Sequence, residues 1–195
     1  MPVWTAPGQF CGFSVELRGK NVYNPNCINM FEAQMMKEQK TNVMRVLEQK
    51  KIPYRAHEYP HGDGPVDGVT VAQLTGQDPE CVFKTLVTVG ASKTNYVFVI
   101  PVAAELDLKK AAKAVGEKSI AMIHVSEITP LTGYVRGGCS PVGMKKQLKT
   151  VFHRSAEEID HILVSGGKIG TQIETAPADL IALVRGITAD VICEA

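Results

Sequence analysis

Two β-rich runs lie close together near the middle of the chain, and they constrain its fold more than any other feature. They read VFKTLVTVG and NYVFVIPV, and only ASKT separates them. Valine, isoleucine, phenylalanine and tyrosine favour strands, and a short polar spacer between two such runs is typical of a β-hairpin. The sequence therefore predicts an antiparallel pair of strands at residues 82–90 and 95–102.

The flanking segments mix helical and extended patterns without a regular alternation of strand and helix. Thr41 or Asn42 can cap a helix that Pro53 ends, and Gly116 is expected to close the helix LDLKKAAKAVG. Further helical segments are predicted in VTVAQLTG, SEITPLTG and APADLIALVRG, and strands in YRAHEY, LKTVFH, HILVSGG and IGTQIET. This mixture predicts an α+β fold with a largely antiparallel or mixed sheet.

Length, charge and cysteine content narrow the class of protein. A chain of 195 residues suits one domain, and a formal net charge of +1 gives no global attraction to nucleic acid. Contact with nucleic acid would need a local basic face, such as the one that contains Lys145, Lys146 and Lys149. The five cysteines form no CxxC pair, so we expect no zinc site and no disulfide framework, and we expect a cytoplasmic location.

The first residues resemble neither a signal peptide nor a membrane span, because they lack a basic start and a long apolar run. Residues 1–35 carry Gly, Pro and Asn at irregular intervals, and no helical or strand period persists there. We therefore expect an N-terminal extension over residues 1–35, either loosely docked, disordered or the product of a start codon placed too early. The folded domain is expected to span residues 36–195.

Lys84 is the most unusual residue of the hairpin, because its neighbours are mostly apolar. By strand alternation it shares a face with Val82 and Leu86, which are core-type residues. One interpretation is an ammonium held at a pocket wall, where it can bind a phosphate or polarise a carbonyl. The other is a solvated lysine that points outward from a sheet edge. The segment alone leaves both open.

Two glycine-rich segments are predicted to be loops near a ligand. The segment YVRGGCSPVG contains Gly137, Gly138, Ser140 and Pro141, and VSGGKIG follows an apolar strand. Glycine permits positive φ and close approach of backbone to a ligand, and successive N–H groups can bind an oxygen anion. Neither segment matches the dinucleotide or triphosphate loops. Plain tight turns are the alternative.

Side-chain catalysis finds weaker support. Cys139 could be a nucleophile with His124 or His153 as its base, but no local signature supports that pairing. His57 and His61 are four residues apart, a spacing that suits metal ligands on a helix, whereas their segment is predicted to be a strand. We therefore expect no metal site there.

Several long segments together resemble the YbaK/EbsC family of free-standing Cys-tRNA(Pro) deacylases, which are relatives of the editing domain of bacterial prolyl-tRNA synthetases. The resemblance covers residues from about 36 to the C-terminus, and residues 1–35 fall outside it. It is carried by LEQKKIPYRAHEY, VFKTLVTV, LDLKKAAKAVG, TGYVRGGCSPVGMKKQLKTV and ILVSGGKIGTQIETAPADL.

This resemblance implies a curved, barrel-like mixed β-sheet with flanking helices. It also implies an enzyme that removes cysteine from mischarged Cys-tRNA(Pro), and from Cys-tRNA(Cys) as a further substrate, without a metal or another cofactor. The expected partners are mischarged tRNA(Pro) and prolyl-tRNA synthetase, with no membrane. The substrate's own thiol is expected to attack its ester, so that the protein mainly orients the reactants.

The resemblance also assigns roles to individual residues. Lys84 matches the lysine that positions the terminal nucleotide and the ester, and Tyr59 matches an aromatic residue at the pocket edge. The expected substrate-binding set is Tyr59, Phe83, Thr85, Gly137, Gly138, Ser140, Pro141, Ser165, Gly166 and Gly167. The segment HGDGPVDG has no clear counterpart in the family. Two alternatives stay open: a deacylase for another small residue such as alanine, and a non-catalytic module that binds aminoacyl-tRNA or a nucleotide.

Overall fold

A computed structural model of the chain describes residues 40–62 and 64–193. The described elements belong to one compact unit, Thr41–Ala195. The predicted extension, residues 1–35, and the predicted start of the domain at residue 36 lie outside the described residues. Among the described residues, no helix combines the length and the apolar character that crossing a membrane requires.

The helices and strands follow each other in the order that the sequence predicts, with two short strands added. The helices are α1 Asn42–Gln49, α2 Gly68–Thr75, α3 Leu108–Val115, α4 Val125–Thr132 and α5 Pro177–Val184. The strands are β1 Arg55–Glu58, β2 Phe83–Gly90, β3 Asn95–Pro101, β4 Ile120–Met122, β5 Lys149–His153, β6 Ile162–Ser165, β7 Thr171–Thr175 and β8 Ile187–Ala189. A 3₁₀ turn, Arg154–Glu157, follows β5.

The larger sheet has five strands in the order β4-β2-β3-β5-β8. Strands β2 and β3 form the predicted antiparallel hairpin, with Lys84 opposite Ile100. Strand β5 runs parallel to both β3 and β8, so the expected mixed character of the sheet is confirmed. The sequence pattern missed β4 and β8, because three residues are too few to show an alternating period.

The smaller sheet has three antiparallel strands in the order β1-β7-β6. It joins the larger sheet through one bridge between Val82 and Leu163, where the Leu163 N–H donates to the carbonyl of Cys81 at 2.8 Å. The expectation of a barrel-like sheet is wrong. Closure requires a continuous ladder between the first and last strands, whereas β4 and β8 remain edges within the described part of the chain.

The central hairpin is buried on both faces, which explains its nearly continuous apolar sequence. On β3, Val97 and Val99 face one cluster, while Phe98 and Ile100 face another. The first cluster is covered by α1, α5 and the smaller sheet, and the second by the apolar face of α3. Leu47 of α1 is fully buried in the first cluster, a burial that stabilises the fold by about 2 kcal/mol.

Candidate functional site

Lys84 is held where β3 ends. Its half-buried side chain donates a hydrogen bond from Nζ to the carbonyl oxygen of Val102 at 3.0 Å. Burial lowers the pKa of the Lys84 ammonium, while the nearby carboxylate of Glu105 acts in the opposite direction. Lys84 is therefore not a freely solvated lysine at a sheet edge. Its ammonium is only half-buried, and the hydrogen bond to Val102 fixes its position.

The two glycine-rich loops touch each other. We call residues 134–143 the first glycine loop and residues 165–170 the second. A Cβ built on Gly138 would lie 2.9 Å from the carbonyl carbon of Lys168 and 3.1 Å from the nitrogen of Ile169. Only glycine permits this approach of backbone to backbone. The fold thus brings together Gly138 and Lys168, which are 30 residues apart in sequence.

A third segment, residues 64–68, connects the glycine loops with the end of β3. Gly137 has φ of +86°, and a Cβ there would lie 2.6 Å from Cβ of Pro65. At the other end of the segment, Gly68 packs against the side chain of Val102, the residue whose carbonyl holds Lys84. Residues 64–68 of the segment HGDGPVDG, which has no clear family counterpart, therefore contact both the first glycine loop and Val102.

Tyr134 anchors both loops. Its hydroxyl donates a hydrogen bond to the carbonyl of Val142 at 2.6 Å, which closes the first glycine loop on itself. A Cβ on Gly167, whose φ is +95°, would lie 3.2 Å from the Tyr134 ring and 3.0 Å from Val43 of α1. The buried tyrosine therefore fixes the two loops against the helix that precedes them.

Tyr59 lies at the far end of the second glycine loop. Its N–H donates to the carbonyl of Gly170 at 3.0 Å, and its buried ring meets the ring of His61 edge to face at a centroid distance of 6.5 Å. Tyr59 and His61 therefore form an aromatic pair at the end of the second glycine loop, and only Tyr59 was expected there from the sequence.

The remaining predicted residues are mostly engaged by the protein itself. Phe83 lies in the first hydrophobic cluster, and Ser140 and Pro141 are buried. Oγ of Ser140 accepts a hydrogen bond from the N–H of Val142 at 3.3 Å. Gly138 and Gly166 donate their N–H groups to Val135 and Thr171. Substrate contact at these two glycines would therefore come from the Cα surface or from neighbouring N–H groups.

Three buried oxygens lack a hydrogen-bond partner within the described residues. They are Oγ1 of Thr85, Oγ1 of Thr171 and Oε1 of Gln172. Native proteins pair nearly all buried polar atoms, so each such atom needs an explanation. Gln172 sits directly opposite Ser165 across β6 and β7, beside the second glycine loop. Thr171 and Gln172 are neighbours on β7 and therefore lie on opposite faces of the smaller sheet, so the three oxygens do not form one cluster.

Of these three residues, only Thr85 was expected at the site from the sequence; Thr171 and Gln172 were not. The signal that could have found them is the segment TQIET itself, where polar residues flank isoleucine in a strand directly after a glycine loop. Alternation places Thr171 on the same face as Ile173 and assigns only Gln172 and Glu174 to the opposite, solvated face. The structure buries both Thr171 and Gln172.

The alternative nucleophile is poorly placed for catalysis. Burial raises the pKa of the Cys139 thiol to about 11, and the thiol is hydrogen-bonded to Thr132. His124 and His153, its two candidate bases, instead cap the α4 helix and the 3₁₀ turn. His57 pairs with Glu174 at 2.5 Å across β1 and β7. Within residues 40–62 and 64–193, no group of three or more His, Cys, Asp or Glu side chains is arranged to hold a metal ion.

This region can orient an ester. It offers one ammonium at a fixed position and backbone that a ligand can approach closely. Such groups hold a phosphate or a carbonyl in place and stabilise charge that develops on oxygen. They do not form the nucleophile–base pair that covalent catalysis needs.

Known proteins are similar to most of this chain in both sequence and fold. A family model described as an aminoacyl-tRNA editing domain matches residues 67–183. A protein of Enterococcus faecalis with the provisional name Cys-tRNA(Pro)/Cys-tRNA(Cys) deacylase EbsC is 46% identical over 154 residues, which are 79% of this chain and 94% of that protein.

Two solved structures have a similar fold. One that is provisionally described as a trans-editing enzyme for prolyl-tRNA synthetase is 26% identical, with a TM-score of 0.70 over 78% of this chain and 96% of its own. The hypothetical protein APE2540 shares the fold, with a TM-score of 0.71 at 23% identity over 78% of this chain and all of its own. The chain therefore belongs to the family of aminoacyl-tRNA editing domains.

Proposed function

We propose that this protein is a trans-editing deacylase that removes cysteine from mischarged Cys-tRNA(Pro), and from Cys-tRNA(Cys) as a further substrate. Family membership and the deacylase name of the E. faecalis relative support the enzyme class. The observation that carries the proposal is a series of contacts: Lys84 bonds the carbonyl of Val102, Gly68 packs on Val102, and Pro65 of the same segment packs on the first glycine loop, which touches the second. The protein would act in the cytoplasm beside prolyl-tRNA synthetase.

The reaction is thiol-assisted in this proposal. The sulfur of the substrate cysteine forms a bond to its own carbonyl carbon, the ester C–O bond breaks, and the terminal ribose oxygen leaves with the thiol proton. The attacking atom belongs to the substrate, so the protein needs to hold the reacting atoms within about 3–3.5 Å of each other in the right orientation. This agrees with a buried Cys139 whose raised pKa disfavours the thiolate.

Lys84 is the proposed positioning cation for the terminal nucleotide and the ester. Its ammonium is already fixed by the carbonyl of Val102, so little side-chain entropy is lost when a phosphate or carbonyl oxygen binds. The unpaired Oγ1 of Thr85, the residue next to Lys84, is proposed to accept a hydrogen bond from the substrate.

The need for such an enzyme follows from binding energies. Cysteine and proline are similar in size, and a small apolar pocket separates such side chains by only about 1–3 kcal/mol. A second site that removes the wrong residue supplies the missing discrimination. Proline carries no thiol, so a thiol-dependent reaction spares the correct product.

Deacylation of four charged tRNAs tests the proposal directly. Cys-tRNA(Pro), Ser-tRNA(Pro), Ala-tRNA(Pro) and Pro-tRNA(Pro) are incubated with the protein, and loss of each amino acid is followed with time. We expect loss of cysteine only, because serine replaces the sulfur by a poorer nucleophile at nearly the same volume. Lys84→Ala should remove the activity, and Lys109→Ala, an exposed lysine on α3, should keep it.

Loss of alanine or serine at the rate of cysteine would contradict thiol assistance and move the specificity to small residues in general. If no tRNA loses its amino acid, and if the protein binds aminoacyl-tRNA equally well with Lys84→Ala, the protein is a non-catalytic binding module.

A further inference from the structure

A cleft of about 790 Å³ opens where three neighbouring parallel strands end. The chain leaves β3 at Pro101 and β5 at His153, and after β8 it continues to Ile192 at the same edge. Crevices outside the carboxyl ends of parallel strands are frequent ligand sites in open sheets. The lining residues that carry the argument are Glu80, Glu105, His153, Glu158, Ile159 and Ile192.

This cleft is separate from the candidate editing site. None of the residues proposed to contact the aminoacyl ester belongs to its lining. The two sites share one wall, because residues 101–105 border the cleft and also contain Val102, whose carbonyl holds Lys84.

The rim of the cleft is acidic. Glu80, Glu105 and Glu158 are exposed, and none forms an ion pair within 4.0 Å in the described part of the chain. No lysine or arginine belongs to the lining. Two cations interact with residues of the cleft: Lys84 with Glu105, and Arg154 with His153. Three carboxylates around one opening outweigh these charges, so the cleft attracts cations.

The interior of the cleft is neutral and largely apolar. Ile159, Ile192, prolines and alanines supply apolar surface. His153 is buried, and its Nδ1 accepts from the N–H of Ser155 at 3.3 Å, while Nε2 faces Asp190 at 3.5 Å. This arrangement suits a neutral ring with its proton on Nε2, and burial lowers the pKa of His153 in the same direction. Lys110 holds Asp190 at 3.1 Å, so that carboxylate is already neutralised.

We propose that this cleft is a second ligand site, which binds a small organic cation: a protonated amine on a short aliphatic body. The carboxylate rim would pair with the ammonium, and the apolar interior would take the aliphatic part. Apolar burial and charge complementarity then act on the two ends of the same molecule.

Titration of the isotope-labelled full chain with n-pentylamine tests this by NMR. We expect saturable shifts at residues 101–105, 153–159 and 192–193, with affinity at least tenfold higher than for n-pentanol, which has the same shape without the charge. The double variant Glu80→Gln and Glu158→Gln should lose about tenfold in affinity for the amine. Glu58→Gln, an exposed carboxylate on β1, should leave it unchanged.

Equal shifts from n-pentanol, stronger shifts from pentanoate or adenosine monophosphate, or shifts confined to the glycine loops would each overturn the proposal. No shift at millimolar amine would do the same. The titration contains no tRNA, so the absence of amine binding would not argue against the deacylase activity. In the same way, the absence of deacylation would not argue against amine binding in the cleft.

Discussion

Gly138 lies directly against the backbone of Lys168, and this contact joins the two glycine loops. A Cβ at position 138 would come within 2.9 Å of the Lys168 carbonyl carbon, a separation that real Cβ atoms do not tolerate. The obstacle is backbone on both sides, so no side chain can move aside. The distance between the loops is therefore set by the absence of a side chain at one residue.

Gly138→Ala should push the loops apart. We expect a loss of stability of about 1–3 kcal/mol, the usual cost of overpacking, and a larger proportional loss of deacylation in the folded fraction. Urea unfolding and deacylation of Cys-tRNA(Pro) measure the two effects. Gly64→Ala is the matched control, because a Cβ there meets nothing within 4 Å. Equal behaviour of the two variants would show that the loop contact is dispensable.

Thr85→Val should change stability and activity in opposite directions. The substitution keeps the shape and removes a buried hydroxyl without a partner, so the free protein should gain about 1 kcal/mol in the free energy of unfolding. Activity should fall if the substrate normally satisfies that hydroxyl. Thr88→Val is the control on the same strand: its hydroxyl bonds the carbonyl of Tyr96, so stability should fall and activity per folded molecule should stay. A destabilised Thr85→Val would mean that the hydroxyl already has a partner.

Lys84 should make substrate binding sensitive to alkaline pH. Burial lowers its pKa from 10.5, so the charged form that binds the substrate is lost at a lower pH than for an exposed lysine. The effect on stability has the opposite sign, because the penalty of burying the charge disappears as pH rises through the lowered pKa. Calorimetric titration with a non-hydrolysable aminoacyl-adenosine amide between pH 7 and 10 measures the affinity. Lys84→Arg should remove the pH dependence over this range, and an unchanged profile in that variant would assign the titration to another group.

The Cys139 thiol should react slowly with electrophiles. With a pKa of about 11, only about one thiol in a thousand is ionised at pH 8. Iodoacetamide should therefore label exposed Cys193 at least roughly tenfold faster than Cys139, as peptide mass spectrometry can show. Cys139→Ala should retain deacylation in proportion to the folded fraction. Complete loss of activity in a stably folded variant would restore Cys139 as the nucleophile.

Local signals predicted most of the fold correctly. The hairpin, the helix cap at Thr41 and the helix end at Gly116 all depend on a few neighbouring residues, and the structure confirms each of them. The barrel-like sheet was wrong, because closure depends on which distant strands pair. Strands β4 and β8 were missed because three residues carry no period.

The sequence by itself determined the helices, most of the strands and the glycine turns, and which lysine is unusual, because propensity, capping and periodicity act between near neighbours. Only the tertiary structure decided that Gly138 meets Lys168, that Pro65 lies on Gly137, and that Gln172 is buried beside Ser165. The first two contacts join residues far apart along the chain, and all three depend on how the segments pack in the folded protein. No local pattern encodes that packing.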